Sequence, residues 1–198
     1  GGQTIAAQGL GVRRLGHRGA VDGDTVFQLA SLSKPLGATV VARQVSLGRV
    51  DWDSRMHDLL PWFALSDAQA TQRLTVGDLY AHRSGLPDHA GDKLQELGYS
   101  AFEVMRRLRL LRTAPLGSTY AYTNMGLTAA AQGVAQAAGQ DWASLSRTSL
   151  YAPLGMARTT SVYEEFAAQR NRAWGHVRTP DGGWAEGLPF NANAQSPA

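Results

Sequence analysis

Ala30-Ser31-Leu32-Ser33-Lys34-Pro35-Leu36, read with the residues that follow as far as Gly48, decides the fold class of this chain. Leu36, Val40, Val41 and Val45 recur at helical spacing, which predicts a helix from about Ser33 to Leu47. Pro35 suits the first turn of such a helix and Gly48 its C-terminal cap. Ser31 therefore sits at or just inside a helix N-terminus. Lys34 lies three residues on, along the same face. The pattern is S-x-x-K, and the spacing carries chemistry. A serine hydroxyl is a poor nucleophile until a neighbouring base takes its proton, and a desolvated lysine can be that base. The helix N-terminus favours an oxyanion formed beside the serine. Alone the motif is weak, because a capped helix carrying an exposed lysine gives the same letters. The basic residues add to it: of 19 lysines and arginines only Lys34 and Lys93 are lysine. A chain that otherwise uses Arg, which cannot give up its proton, keeps a lysine at the position where a titrating amine is useful.

Outward from this helix the chain reads as one globular domain, mostly helical, with some strand at its start. Residues 3–15 hold Gly9 and Gly11 in an apolar run and predict two short strands, or one with a bend. Thr75-Val-Gly-Asp78 and Ser100-Ala-Phe-Glu103 are capping boxes, each opening a helix. The Ala-rich stretch from Leu127 to Ala138 predicts another, ended by Gly139, and Asp141 can cap one more reaching about Tyr151. From Arg172 onward Gly, Pro, Trp and Asn dominate and no helical period is visible.

The bulk numbers exclude several function classes. A hydrophobic fraction of 43% with 18% charged residues is a globular composition, not a disordered one. The absence of cysteine rules out disulfides, thiolate metal sites and cysteine nucleophiles. Apolar runs such as Leu59 to Leu65 are too short to span a bilayer, and no basic start followed by an apolar run reads as a signal peptide. The net charge is +3. Arg106, Arg107, Arg109 and Arg112 lie along a predicted helix and read as a solvated face. No aromatics alternate with them, which argues against a nucleic-acid surface.

Tyr122-Thr-Asn124 is the second chemical element, placed on a tight loop between Pro115-Leu-Gly117 and a helix. A tyrosine whose pKa is lowered by a nearby cation can relay a proton between an attacking serine and a leaving group. Asn124 can hydrogen-bond a substrate amide or hold the lysine. A turn with a packed tyrosine is the plainer reading of the same letters. Competing chemistries lack their motifs: G-x-S-x-G, H-E-x-x-H, G-x-x-x-x-G-K and G-x-G-x-x-G are all missing. His82, Asp88 and His89 match no common metal-ligand spacing.

Taken together, these stretches resemble the class C β-lactamase-related family of serine hydrolases, which includes penicillin-binding DD-peptidases, esterases and D-amino-acid amidases. Phe27-Gln-Leu-Ala-Ser31-Leu-Ser-Lys34 is similar to its nucleophile segment. The resemblance continues, in order, through Leu74-Thr-Val-Gly-Asp-Leu-Tyr-Ala-His82-Arg-Ser84-Gly85-Leu86-Pro87, Pro115-Leu-Gly117-Ser-Thr-Tyr-Ala-Tyr122-Thr-Asn124 and Pro153-Leu-Gly155-Met156. Gly9-Leu-Gly11 is similar to the glycine-rich strand upstream of the nucleophile. The resemblance implies an α/β (α+β) fold of the serine β-lactamase/penicillin-binding-protein type, a helical subdomain packed on an antiparallel sheet with Ser31 at the junction. It implies Ser31 as the acyl-accepting nucleophile, Lys34 and Tyr122 as the coupled acid/base pair, and Asn124 as a contact to substrate and Lys34. The backbone N–H of Ser31 would be one oxyanion donor. Asp78, His82, Ser84 and Gly85 read as loop-fixing. No cofactor and no metal is implied. The partner is a small-molecule or peptide substrate, an ester, a D-amino-acid peptide or a β-lactam, with no nucleic acid and no transmembrane segment. A periplasmic or secreted setting follows from the family.

One departure bears on activity. The family carries a third motif, K-T-G or H-x-G, on a strand opposite the serine, and Trp174-Gly-His176-Val-Arg178 fits it neither in position nor in pattern. Gly1 enters where the family has already passed a helix and a strand, and Ser196-Pro-Ala198 falls where relatives run on into more of the sheet. Residues 1–198 are therefore expected to be a single β-lactamase-related catalytic domain truncated at both ends, with part of its sheet missing. The alternative is a non-catalytic penicillin-binding-like protein, or an inactive fragment, that lacks the third motif.

Overall fold

A computed structural model describes residues 2–4, 6–187 and 197 of the chain. Ser196 and Ala198, where the resemblance predicts continuation into further sheet, lie outside the described residues.

Helices form the body, and the predicted caps start several of them. A single 3-10 turn, Ala30–Leu32, leads into α1 (Ser33–Ser46). Two short helices follow, α2 (Met56–Leu59) and α3 (Ala68–Arg73), the second capped by Asp67. The Thr75/Asp78 box closes as expected on α4 (Val76–Tyr80). Then come α5 (Asp92–Glu96) and α6 (Ala101–Arg107), the latter opened by the Ser100/Glu103 box. On α6, Arg106 and Arg107 lie over the rings of Phe102 and Tyr99 at 5.7 and 4.9 Å. The Ala-rich stretch is α7, and it begins earlier than expected, at Asn124, running to Ala137. Asp141 caps α8 (Trp142–Ser146), which continues as a wider π turn to Tyr151. A last helix, α9, covers Tyr163–Ala167.

The core gathers around α7. Ten of its 14 residues are buried, so it is enclosed on nearly every side by α1, α2, α4, α6 and α8. Small residues make that possible. A Cβ on Gly133 would press on Leu59 and Met56 at 3.2–3.3 Å, so the glycine eases the close approach of α2 to α7. Phe63, Leu79, Met105, Leu127 and Leu145 fill the space between the helices. The consequence for function is positional: α1 carries Lys34 and α7 carries Asn124, and both are fixed by this packing.

The sheet described is a hairpin of β1 (His176–Arg178) and β2 (Trp184–Glu186), antiparallel with His176 opposite Glu186. The short strands expected over residues 3–15 do not form among the described residues. Val12 pairs with Ala20 in an isolated bridge, while Val21 N donates to Gly11 O at 3.0 Å and Arg13 N to Gly19 O at 2.9 Å. The segment thus folds back on itself as an arm. Gly9 permits this, because a Cβ there would lie 2.2 Å from the Val21 carbonyl oxygen. A strand needs a ladder along its length, and this arm finds single contacts, such as Trp174 N to Arg13 O at 2.8 Å.

Candidate active site

The four residues singled out in the sequence meet at one point. Lys34 Nζ donates to Ser31 Oγ at 3.0 Å and to Asn124 Oδ1 at 2.8 Å. Ser31 Oγ and the Tyr122 hydroxyl lie 2.7 Å apart. The Lys34 ammonium also sits 4.7 Å from the Tyr122 ring centre. Ser31 is exposed, whereas Lys34, Tyr122 and Asn124 are half-buried. A hydroxyl facing solvent is thus backed by an amine and a phenol, the arrangement a serine needs to lose a proton as it attacks.

Local backbone explains how Ser31 is presented. Ala30 holds φ at 46°, a left-handed conformation uncommon for a residue with a Cβ, immediately before the serine. The chain therefore turns sharply into the 3-10 segment, and Ser31 and Lys34 come to one face.

Tyr122 is held from behind by the loop from His82 to Asp92. Its backbone N–H donates to Asp88 Oδ1 at 2.8 Å, and its carbonyl accepts from His89 N at 2.7 Å. The buried His82 grips both neighbours: its carbonyl accepts Ala121 N at 2.9 Å and its Nδ1 accepts Thr123 N at 3.1 Å. Its ring lies 4.7 Å from that of Tyr122, tilted by 30°. An Nδ1 that accepts leaves the proton on Nε2, so the histidine is neutral in this role. Burial first, and the Lys34 charge second, hold His82 below its ordinary pKa against the pull of Asp88. Burial alone would push the Tyr122 phenol up, but hydrogen bonds from Lys34 and Ser31, joined by the Lys34 charge, outweigh it and hold the phenol below the usual tyrosine range.

Three residues near the quartet have roles not legible in the sequence: Asp92, which is not singled out there, and Asp88 and His89, which are weighed there only as metal ligands. Asp92 Oδ2 accepts from Asn124 Nδ2 at 2.9 Å and from His89 Nδ1 at 2.9 Å. The hydrogen bond to Asp92 holds His89 above its ordinary pKa. Asp88 completes the set through Tyr122. An acidic residue in the first turn of a short helix reads only as a helix-dipole partner, so no sequence signal distinguished Asp92. His82, Asp88 and His89 are engaged with the Tyr122 loop, and among the described residues no three His, Asp or Glu side chains are grouped to hold a metal ion. His176 is not brought to the quartet; its Nε2 accepts from Leu15 N at 3.1 Å. An open cleft of about 910 Å³ borders the serine turn through Ala30 and Ser33, with Phe27, Leu36, Met156 and Phe166 in its walls, but the quartet itself lies outside it.

Comparison with known proteins follows the same lines. The family described as Beta-lactamase matches residues 1–198. Penicillin-binding protein 4 of Amycolatopsis lactamdurans is 32% identical over 156 residues, covering 75% of this chain and 40% of that protein. Esterase EstB of Burkholderia gladioli is 34% identical over 165 residues, covering 76% of this chain and 41% of the esterase. The chain therefore spans about two fifths of the length of these relatives. Among solved structures, the octameric penicillin-binding protein homologue of Pyrococcus abyssi superposes with a TM-score of 0.81 at 20% identity, over 96% of this chain and 45% of its own. The fold is thus of the β-lactamase/penicillin-binding-protein class, represented in the described residues by the helical body and a small antiparallel sheet.

Proposed function

The chain belongs to the beta-lactamase family, and on that premise we propose that Ser31 is the nucleophile of a serine hydrolase that cleaves an ester or amide through an acyl-serine. One observation carries the reading: Ser31 Oγ lies within hydrogen-bond reach of both Tyr122 and Lys34, at 2.7 and 3.0 Å. In the first step Oγ bonds to the substrate carbonyl carbon as its proton passes to the Lys34–Tyr122 pair. The oxyanion is met by the Ser31 N–H at the head of the helical turn. The pair then protonates the leaving group as its bond to the carbonyl carbon breaks, leaving acyl-Ser31. Water attacks that carbonyl in the second step, giving its proton back through the same pair, and the acid departs from a restored hydroxyl. Asn124 holds Lys34 and offers an amide to the substrate. The lowered Tyr122 pKa favours the phenol as the proton relay.

Within the family's range, an esterase or peptidase-like activity is slightly preferred to a dedicated β-lactamase; the Ser31/Lys34 and Tyr122/Asn124 motifs occur across all of these and do not separate them. Residues 1–198 are assigned to one catalytic domain, and a periplasmic or secreted setting accords with the family. Among the described residues no helix is long and apolar enough to cross a membrane.

The test is intact mass before and after incubation with a p-nitrophenyl acyl ester, with Ser31→Ala alongside. A single acyl adduct, absent from Ser31→Ala, is expected. A folded, full-length sample that takes no adduct would refute the acyl-serine and favour a non-catalytic binding protein.

A further inference from the structure

The carboxamide of Asn124 has two unlike ends, and only one orientation serves Lys34. Its Oδ1 accepts from the ammonium at 2.8 Å, so Nδ2 must point away, where it meets Asp92 Oδ2 at 2.9 Å. An ionised carboxylate can only accept. Rotating the carboxamide would set Oδ1 against the Asp92 oxygen and Nδ2 against the Lys34 ammonium, two repulsive contacts in place of two attractive ones. The carboxylate is itself fixed: the same Oδ2 takes the Nδ1 proton of His89 at 2.9 Å, and His89 is held at φ 55° by its backbone bond to the Tyr122 carbonyl. Asp92 is half-buried between these two donors, while His89 is exposed.

We propose that Asp92 is a positioning residue of the acyl-transfer site: its Oδ2, shared with His89, locks the Asn124 carboxamide with the oxygen turned to Lys34. This rests on the reading of Ser31 as nucleophile. The plainer role for Asp92 is a negative charge in the first turn of α5, and the two roles need different things. A helix end needs the charge, whereas the carboxamide needs an acceptor at one place. Asp92→Asn keeps a carbonyl acceptor and loses the charge; Asp92→Ala loses both.

The experiment compares the full-length parent with Ser31→Ala, Asp92→Ala and Asp92→Asn. Acylation by p-nitrophenyl acetate is followed by stopped-flow release of p-nitrophenol, beside intact mass and thermal melting. Asp92→Ala is expected to acylate about tenfold more slowly, the size of one lost charge-assisted hydrogen bond. Its apparent KM should stay within about twofold, because the loss falls on the chemical step. Asp92→Asn should recover most of that rate while melting no higher than Asp92→Ala. An Asp92→Ala rate equal to the parent's overturns the proposal. So does an Asp92→Asn rate as low as the alanine variant's, since charge would then be what matters. If Asp92→Ala does not fold, Asp92→Asn decides: a rate near the parent's supports an acceptor role, and a loss of about tenfold overturns it. A folded parent that shows no acyl group on Ser31 instead brings down the reading beneath the proposal, and the mass spectrum separates that failure from the others.

Discussion

The loop from His82 to Asp92 and the segment from Asp24 to Ala30 both border the Ser31 site, and they are held by different means. The loop is stitched through its backbone. Ala121 donates to His82 and Ala114 to Gly85, at 2.9 and 2.8 Å, and Tyr122 donates to the Asp88 side chain at 2.8 Å. Its own Ser84, Leu86 and Ala90 are buried. The segment has two backbone bonds to residues 171–173, through Val26, and an ion pair between Asp24 and Arg158 at 2.6 Å. It leaves Phe27 and Leu29 exposed at 53% and 40%. The groups proposed to move protons are therefore supported by the packed helical body, where their geometry would cost nothing to assemble at the moment of reaction. The other border is apolar surface facing an open cleft.

The largest effect that would sharpen this contrast is on the packed side. Lys34→Arg keeps the charge but cannot give up its proton, so it cannot pass protons to and from Tyr122 and Ser31; acylation of Ser31 should fall about a thousandfold while the fold survives, as read by burst kinetics and circular dichroism. Next comes the loop itself. Gly85 has φ +83°, and a Cβ there would lie 2.2 Å from the Ala114 carbonyl oxygen, against Ala114 backbone atoms rather than the end of a flexible side chain. Gly85→Ala should cost about 3 kcal/mol in thermal or urea melting, whereas Phe27→Ser on the loose border should change stability by under about 0.5 kcal/mol. Equal losses would break the comparison. The smallest effect is a slope with pH. Folded His82 titrates below its ordinary value, so between that value and about 6.5 the unfolded chain binds more protons than the folded one. Its contribution is complete above the unfolded pKa and is lost as pH falls through the folded pKa. His89, whose pKa is raised, contributes in the opposite sense: fully below the unfolded value, and lost as pH rises through the folded one. His82→Gln should flatten the acid side of the Tm profile and leave the alkaline side alone.

What could be read in advance was what is local. The Thr75/Asp78 and Ser100/Glu103 boxes form because donor and acceptor are three residues apart in any helix start, and the Ser31/Lys34 face follows from the same periodicity. The expected fold class stands, yet the strands expected over residues 3–15 are absent among the described residues, because a strand is stabilised by neighbours that an apolar run does not specify. Asp92 was invisible for a related reason: its partner Asn124 is 32 residues away. The left-handed Ala30 left no trace either, since an alanine, unlike a glycine, does not announce a positive φ.

That alanine has a further consequence. A backbone held outside its preferred basin, at roughly 1–3 kcal/mol, stays there only while its surroundings insist on it. Mild denaturant or a modest rise in temperature loosens such turns before helices part. The turn that presents Ser31 is therefore expected to give way before the helical body does, a difference that hydrogen exchange around Ala30, set against that of α7, would read.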